Sequence, residues 1–136
     1  TRTTNDLKFT ITAPAVNDMA SNKLTSLINN ASNKYIATVC NSKLINIYTE
    51  SFINFTVNFP HNSTRQIPII IPTNKQISDF ENLFDRAYEI KVSQFDSKIT
   101  NASAEQRLHE IQIELDEKVY KLYGLTKEEV EIVEKS

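Results

Sequence analysis

Residues 7–13, LKFTITA, set apolar Leu7, Phe9, Ile11 and Ala13 against polar Lys8, Thr10 and Thr12. A period of two predicts a strand with one buried face. The alternation returns in residues 52–59, FINFTVNF, with Ile53, Phe55, Val57 and Phe59 on one side and Asn54, Thr56 and Asn58 on the other. Turn residues follow in PHNSTRQ. The run IPIIIP at 67–72 is β-branched, and its two prolines place it at a sheet edge or strand end. Between the first two alternating runs, Tyr35, Ile36, Val39, Leu44, Ile45, Ile47 and Tyr48 recur at helical spacing. One or two short helices are expected there, with Asn33 as a cap and a break near Asn41 and Ser42.

From Thr73 the period changes to one near 3.6. Thr73 and Gln76 suit a capping box, after which Ile77, Phe80, Phe84, Ala87 and Lys91 trace one stripe, flanked by Leu83, Ile90 and Phe95 and reaching about Ile99. TNAS interrupts the pattern. Ser103 and Gln106 suggest a second box, and Leu108, Ile111, Leu115, Val119 and Leu122 mark a second long helix. So short a break implies an antiparallel hairpin. Gly124, the single glycine of the chain, reads as a helix stop, because a left-handed residue past a helix end is tolerated best without a Cβ. Thr126 and Glu129 then form a T-x-x-E box, with Leu125 and Val130 spaced as a hydrophobic staple.

The expected fold class is therefore α+β: a small sheet-containing body, then a long antiparallel helical hairpin and a short C-terminal helix. The body would span residues 1–72 and be incomplete at its N-terminus. The hairpin and terminal helix, residues 73–136, would pack with it as one domain.

Composition narrows the function classes. The chain has 136 residues, enough for one core. It begins at Thr1 and reads as a piece of a longer protein. Neither a long apolar run nor a basic-then-apolar leader is visible, so a cytoplasmic setting without membrane association is expected. Cys40, the one cysteine, lies in the apolar stretch YIATVC and reads as a buried, inert thiol. Asn-x-Ser/Thr triplets at Asn30, Asn54, Asn62 and Asn101 are ascribed to an asparagine-rich composition. The net charge is −2, but it is unevenly spread. Residues 1–75 carry seven Lys/Arg against three Asp/Glu, whereas residues 76–136 carry eight against fourteen. A front half at +4 and a back half at −6 suit a molecule that meets a polyanion with one end.

Motifs for catalysis are mostly missing. One glycine cannot build a G-x-G-x-x-G or Walker loop, and C-x-x-C and H-E-x-x-H do not occur. His61 and His109 stand apart from other metal-ligating residues. Asp79 or Asp85 followed by Glu89-Ile90-Lys91 superficially resembles the D…E-x-K set of metal-dependent nucleases. Those residues fall in a helical segment, where positions two apart point in nearly opposite directions. No catalytic, cofactor-binding or metal-binding residue is expected in this chain. The loop between the later alternating runs is more informative. Asn58, His61, Asn62, Ser63, Thr64, Arg65 and Gln66 supply donors and acceptors of the kinds that meet phosphates and base edges. Lys34, Lys43 and Lys75 are further candidates for DNA contact.

Three stretches carry a resemblance. YIATVCNSKLINIY resembles the helix and LNS-x-L turn of restriction-modification specificity domains. IPIIIPTNKQISDFENLFDRAYEIK is similar to their IP-x-I-P…Q strand entering a long helix. IQIELDEKVYKLYGLTKEEVEIVEKS resembles their C-terminal ID-x-x-VY-x-LYGLT-x-EE signature, with Leu115-Asp116 in place of Ile-Asp. Together these residues, from about 33 to 136, resemble the TaqI-like C-terminal specificity domain of adenine-specific DNA methyltransferases and of fused type II restriction enzymes. Type I specificity subunits share the same helix entry. The resemblance implies a non-catalytic module that reads a short sequence in double-stranded DNA. It also implies an upstream methyltransferase domain of the same chain, using S-adenosylmethionine on a flipped adenine, with or without a magnesium-dependent endonuclease. A helical-hairpin interaction or dimerisation module is the reading from a different class, motivated by the long apolar stripes.

Overall fold

The computed structural model of the chain describes the backbone of residues 2–3 and 6–7 and the full structure of residues 32–53 and 66–136. Among the described residues five α-helices follow one another: α1 (Asn33–Cys40), α2 (Lys43–Tyr48), α3 (Asn74–Phe95), α4 (Asn101–Leu122) and α5 (Lys127–Lys135). A π-helical turn, Thr49–Ile53, continues α2. The short strands β1 (Arg2–Thr3) and β2 (Asp6–Leu7) pair antiparallel, Arg2 with Leu7 and Thr3 with Asp6.

This arrangement corrects the α+β expectation: among the described residues the fold is all-α, and a two-residue ladder is too short to make a sheet layer. Two local causes are visible. Phe52 and Ile53, the first residues of the alternating run FINFTVNF, lie in the π-turn. Residues 67–72 form no ladder, and tyrosine hydroxyls occupy two of their carbonyls. Tyr35 Oη donates to Ile70 O at 2.8 Å and Tyr123 Oη to Pro68 O at 2.5 Å. Pro68 and Pro72 have no N–H to offer a neighbouring strand. Residues 8–13 and 54–65, where the other strand and turn readings fall, lie outside the described residues.

Hydroxyl side chains define each helix start. Ser32 accepts from Tyr35 N at 3.1 Å, so it caps α1 in place of the expected Asn33. Ser42 caps α2, and the break falls at Asn41 and Ser42. Thr73–Gln76 and Thr126–Glu129 each close a reciprocal capping box. At α4 the cap is Thr100, whose Oγ1 accepts from Ser103 N at 3.2 Å, so this helix begins ahead of the Ser103 box read from sequence. The stop signals are equally local. Gly124 has φ +68°, and Leu125 N donates to Tyr120 O at 3.0 Å while Gly124 N donates to Lys121 O at 3.2 Å. That pattern is a Schellman closure. Ser97, with φ +56°, closes α3 in the same way through Lys98 N to Ser93 O at 2.9 Å.

Packing then joins the front and back of the chain. α3 and α4 form the hairpin, tied across by Arg86 to Glu114 at 2.8 Å and by Gln94 to Asn101 at 3.1 Å. α1 lies chiefly along α3, and α2 lies against α4 and α5. Tyr35, Val39, Cys40, Ile45, Ile67, Phe80, Leu83, Ile111, Leu115 and Val119 make one core. At its centre the Tyr35 and Phe80 rings meet edge to face, 5.4 Å apart at 81°. No described helix is long and apolar enough to cross a membrane.

Candidate nucleic-acid interface

Of the residues proposed to contact DNA, Asn58, His61, Asn62, Ser63, Thr64 and Arg65 lie outside the described residues. Gln66, exposed, opens the segment that leads into α3. Lys75 is exposed in the first turn of α3 and has no ionic partner among the described residues. The other two lysines are engaged. Lys34 Nζ lies 2.6 Å from Asp85 on α3, and this hydrogen bond raises the pKa of its ammonium. Lys43 Nζ donates to Glu134 on α5, to Oε2 at 3.2 Å and to the backbone O at 2.9 Å. The two lysines therefore serve contacts on separate helices instead of forming one basic patch.

A polar cluster that the sequence reading did not single out lies where α2, α4 and α5 meet. Asp116 is buried and accepts from Lys43 N at 2.8 Å and from Gln112 Nε2 at 3.0 Å. Its carboxyl is pushed above the usual range by burial, a rise the two hydrogen bonds oppose. Glu134 accepts from the Tyr120 hydroxyl, and that bond, with Lys43, holds its carboxyl below the usual range. Burial and the Glu134 bond push the Tyr120 hydroxyl up. The sequence carried a signal for this cluster, since Asp116 interrupts the flank of an otherwise apolar stripe. A carboxylate at the start of α2 meets free backbone N–H groups there, and it couples α2 to α4.

Cys40 is not activated as a nucleophile. Burial pushes the Cys40 thiol up to about 12, so the thiolate is scarce near neutrality. Among the described residues no three His, Cys, Asp or Glu side chains converge as metal ligands. Glu89 and Lys91 lie in α3, and the Asp85 considered with them is bound to Lys34. Between α3 and α4 an open groove of about 340 Å³ is lined by Arg86, Glu89, Ser93, Arg107 and Glu110 among others, with mixed charge.

The stretches that carry the resemblance are hydrogen-bonded to one another in every pairing. Asp116 of the last receives Lys43 N of the first, Tyr123 of the last reaches Pro68 of the second, and Tyr35 of the first reaches Ile70 of the second. Comparison with protein-family models, with curated proteins and with solved structures found no match to this chain.

Proposed function

We propose that this chain is a C-terminal DNA target-recognition module of an adenine-specific restriction-modification methyltransferase, non-catalytic by itself. What supports the reading is the mutual hydrogen bonding of the three stretches that resemble specificity domains. Tyr35, Lys43, Pro68, Asp116 and Tyr123 all belong to those stretches, and each takes part in a hydrogen bond between two of them. On this reading the helical unit is a rigid base, and the polar residues 58–66 are carried just before α3 as base-edge and phosphate contacts. S-adenosylmethionine and any magnesium belong to the parent enzyme's other domains.

The test is selection from a pool of random duplex DNA at low and moderate salt, followed by anisotropy titration. Enrichment of one short sequence is expected. Arg65→Ala should weaken that complex by about 1–3 kcal/mol if the guanidinium reads a base. Lys75→Ala should weaken all sequences alike and flatten the salt dependence. Failure to enrich any sequence, by this chain alone and by the chain joined to its methyltransferase domain, would refute the proposal.

A further inference from the structure

The segment IPIIIP, residues 67–72, gives side-chain packing little by which to choose its register. A one-residue slip of extended chain turns every side chain to the other face, and an alternation of apolar with polar residues normally resists it. Ile69, Ile70 and Ile71 carry no such alternation, so a slip in either direction would still set isoleucine at the middle of the run.

Hydrogen bonds supply what the side chains do not. Tyr35 Oη donates to Ile70 O at 2.8 Å and Tyr123 Oη to Pro68 O at 2.5 Å. The acceptors are two residues apart, and in extended backbone carbonyls at that spacing point to the same side. Ile67 and Ile71 each precede a proline, which biases both toward extended backbone. After a slip of one residue, both hydroxyls would meet residues whose carbonyls are turned the other way.

Both donors are themselves held in place. Tyr35 is fully buried, the Ser32 cap of α1 accepts from its amide, and its ring meets Phe80 edge to face. Tyr123 closes α4 beside Gly124, whose left-handed backbone ends the helix there. Burial pushes the Tyr35 hydroxyl up to about 12 and raises that of Tyr123 as well, so both remain donors near neutrality.

The segment joins two exposed residues assigned above to DNA contact. Gln66 stands directly before it, and Lys75 follows in the first turn of α3. Lys75 is set by the helix and its Thr73–Gln76 box, whereas the position of Gln66 depends on how residues 67–72 are held. A slip of one residue carries Gln66 about 3.3 Å along the chain direction. A displacement of that size breaks a hydrogen bond to a base edge.

We propose that Tyr35 and Tyr123 are positioning residues for target recognition: their hydroxyls fix the register of residues 67–72 and, through it, the reach of Gln66 toward a base edge. Neither tyrosine touches DNA in this role. The inference rests on the DNA-recognition reading and adds to it the residues of the helical base that set discrimination between sequences. Phosphate contact by Lys75 lies outside the control of the pair, so overall affinity and discrimination respond to different residues.

The test uses the duplex enriched from the random pool, a set of duplexes each differing from it at one base pair, and an unrelated duplex. Each is titrated by anisotropy against the chain in the form that enriched the target. Tyr35→Phe with Tyr123→Phe should lower the ratio of target to altered-duplex affinity about tenfold at one or more base pairs, and each single change by less. Affinity for the unrelated duplex and its salt dependence should stay as they are. Ile111→Val, a core change in the middle of α4, is the control for lost stability and should keep the ratio. All titrations are made well below the lowest melting midpoint, so that each variant is folded. The proposal is overturned if the double variant keeps the wild-type ratio, if it loses affinity for every duplex alike, or if Ile111→Val lowers the ratio as much. A wild-type chain that enriches a sequence while the double variant keeps the ratio removes the positioning role and leaves the DNA reading intact. A wild-type chain that enriches nothing removes both.

Discussion

Two residues with positive φ end the hairpin helices, and they differ in one atom group that matters. Gly124 at φ +68° has no Cβ, and a Cβ built there would meet nothing within 4 Å. Gly124→Ala is therefore expected to cost about 1–2 kcal/mol from backbone conformation alone. Ser97 does the same task at φ +56° with a side chain. Ser97→Gly should stabilise by about 0.5–1 kcal/mol, because relief at the left-handed residue exceeds the added freedom of the unfolded chain. Urea denaturation of both variants checks the opposite signs. Asp116 gives a second residue-scale prediction. Asp116→Ala should destabilise by about 1–3 kcal/mol by leaving Lys43 N–H without its acceptor and Gln112 Nε2 with Asn41 O alone, and Asp116→Asn should cost much less. The pH dependence follows from the direction of the shift. The folded state binds this proton more tightly than the unfolded one, so stability falls as pH rises from about 3.8 through the raised folded value. Glu134 acts oppositely: its stabilisation is present above about 4.5 and is lost as pH falls through the lowered folded value. Urea midpoints measured across the acid range should lose the first component in Asp116→Asn and the second in Glu134→Gln.

At the scale of elements, helix ends were legible because a cap is local chemistry. Thr73–Gln76, Thr126–Glu129 and Gly124 could be read directly, since each depends on residues within one turn. Thr100 was missed because two hydroxyls, Thr100 and Ser103, compete for the same helix start. The earlier one won, leaving Ser103 to donate its amide. The run 67–72 was misread for a different reason. β-branched residues favour extended backbone, but a strand also needs a partner edge, and here the partners are Tyr35 and Tyr123. Replacing both with phenylalanine should lower stability by about 1–2 kcal/mol, read from urea denaturation, because each change removes one hydroxyl-to-carbonyl hydrogen bond. Unchanged stability would mean that Ile67 and Pro72, both buried, anchor the segment by themselves.

For the whole molecule, the core draws on α1, α2, Ile67, α3 and α4 together, so the described helices should unfold as one unit. Leu83, 1% exposed at the centre, is the site to test this: Leu83→Ala should cost about 2–5 kcal/mol and move the circular dichroism and tyrosine fluorescence transitions together. Separate transitions would place α1 and α2 in a unit distinct from the hairpin. Charge asymmetry was visible in the chain, but not its use. Lys34 and Lys43 counted toward a basic front half, whereas the fold sets them against Asp85 and Glu134 of the acidic back half. The sequence by itself determined the long helices, most of their caps and stops, and the apolar stripes, because these depend on neighbours within a turn or two. Tertiary structure alone decided that residues 67–72 join no described ladder, that Asp116 accepts from the first amide of a helix 73 residues away, and that the described elements leave Tyr88 and Phe95 exposed. Each of those outcomes depends on which surface meets which, a matter that local periodicity does not encode.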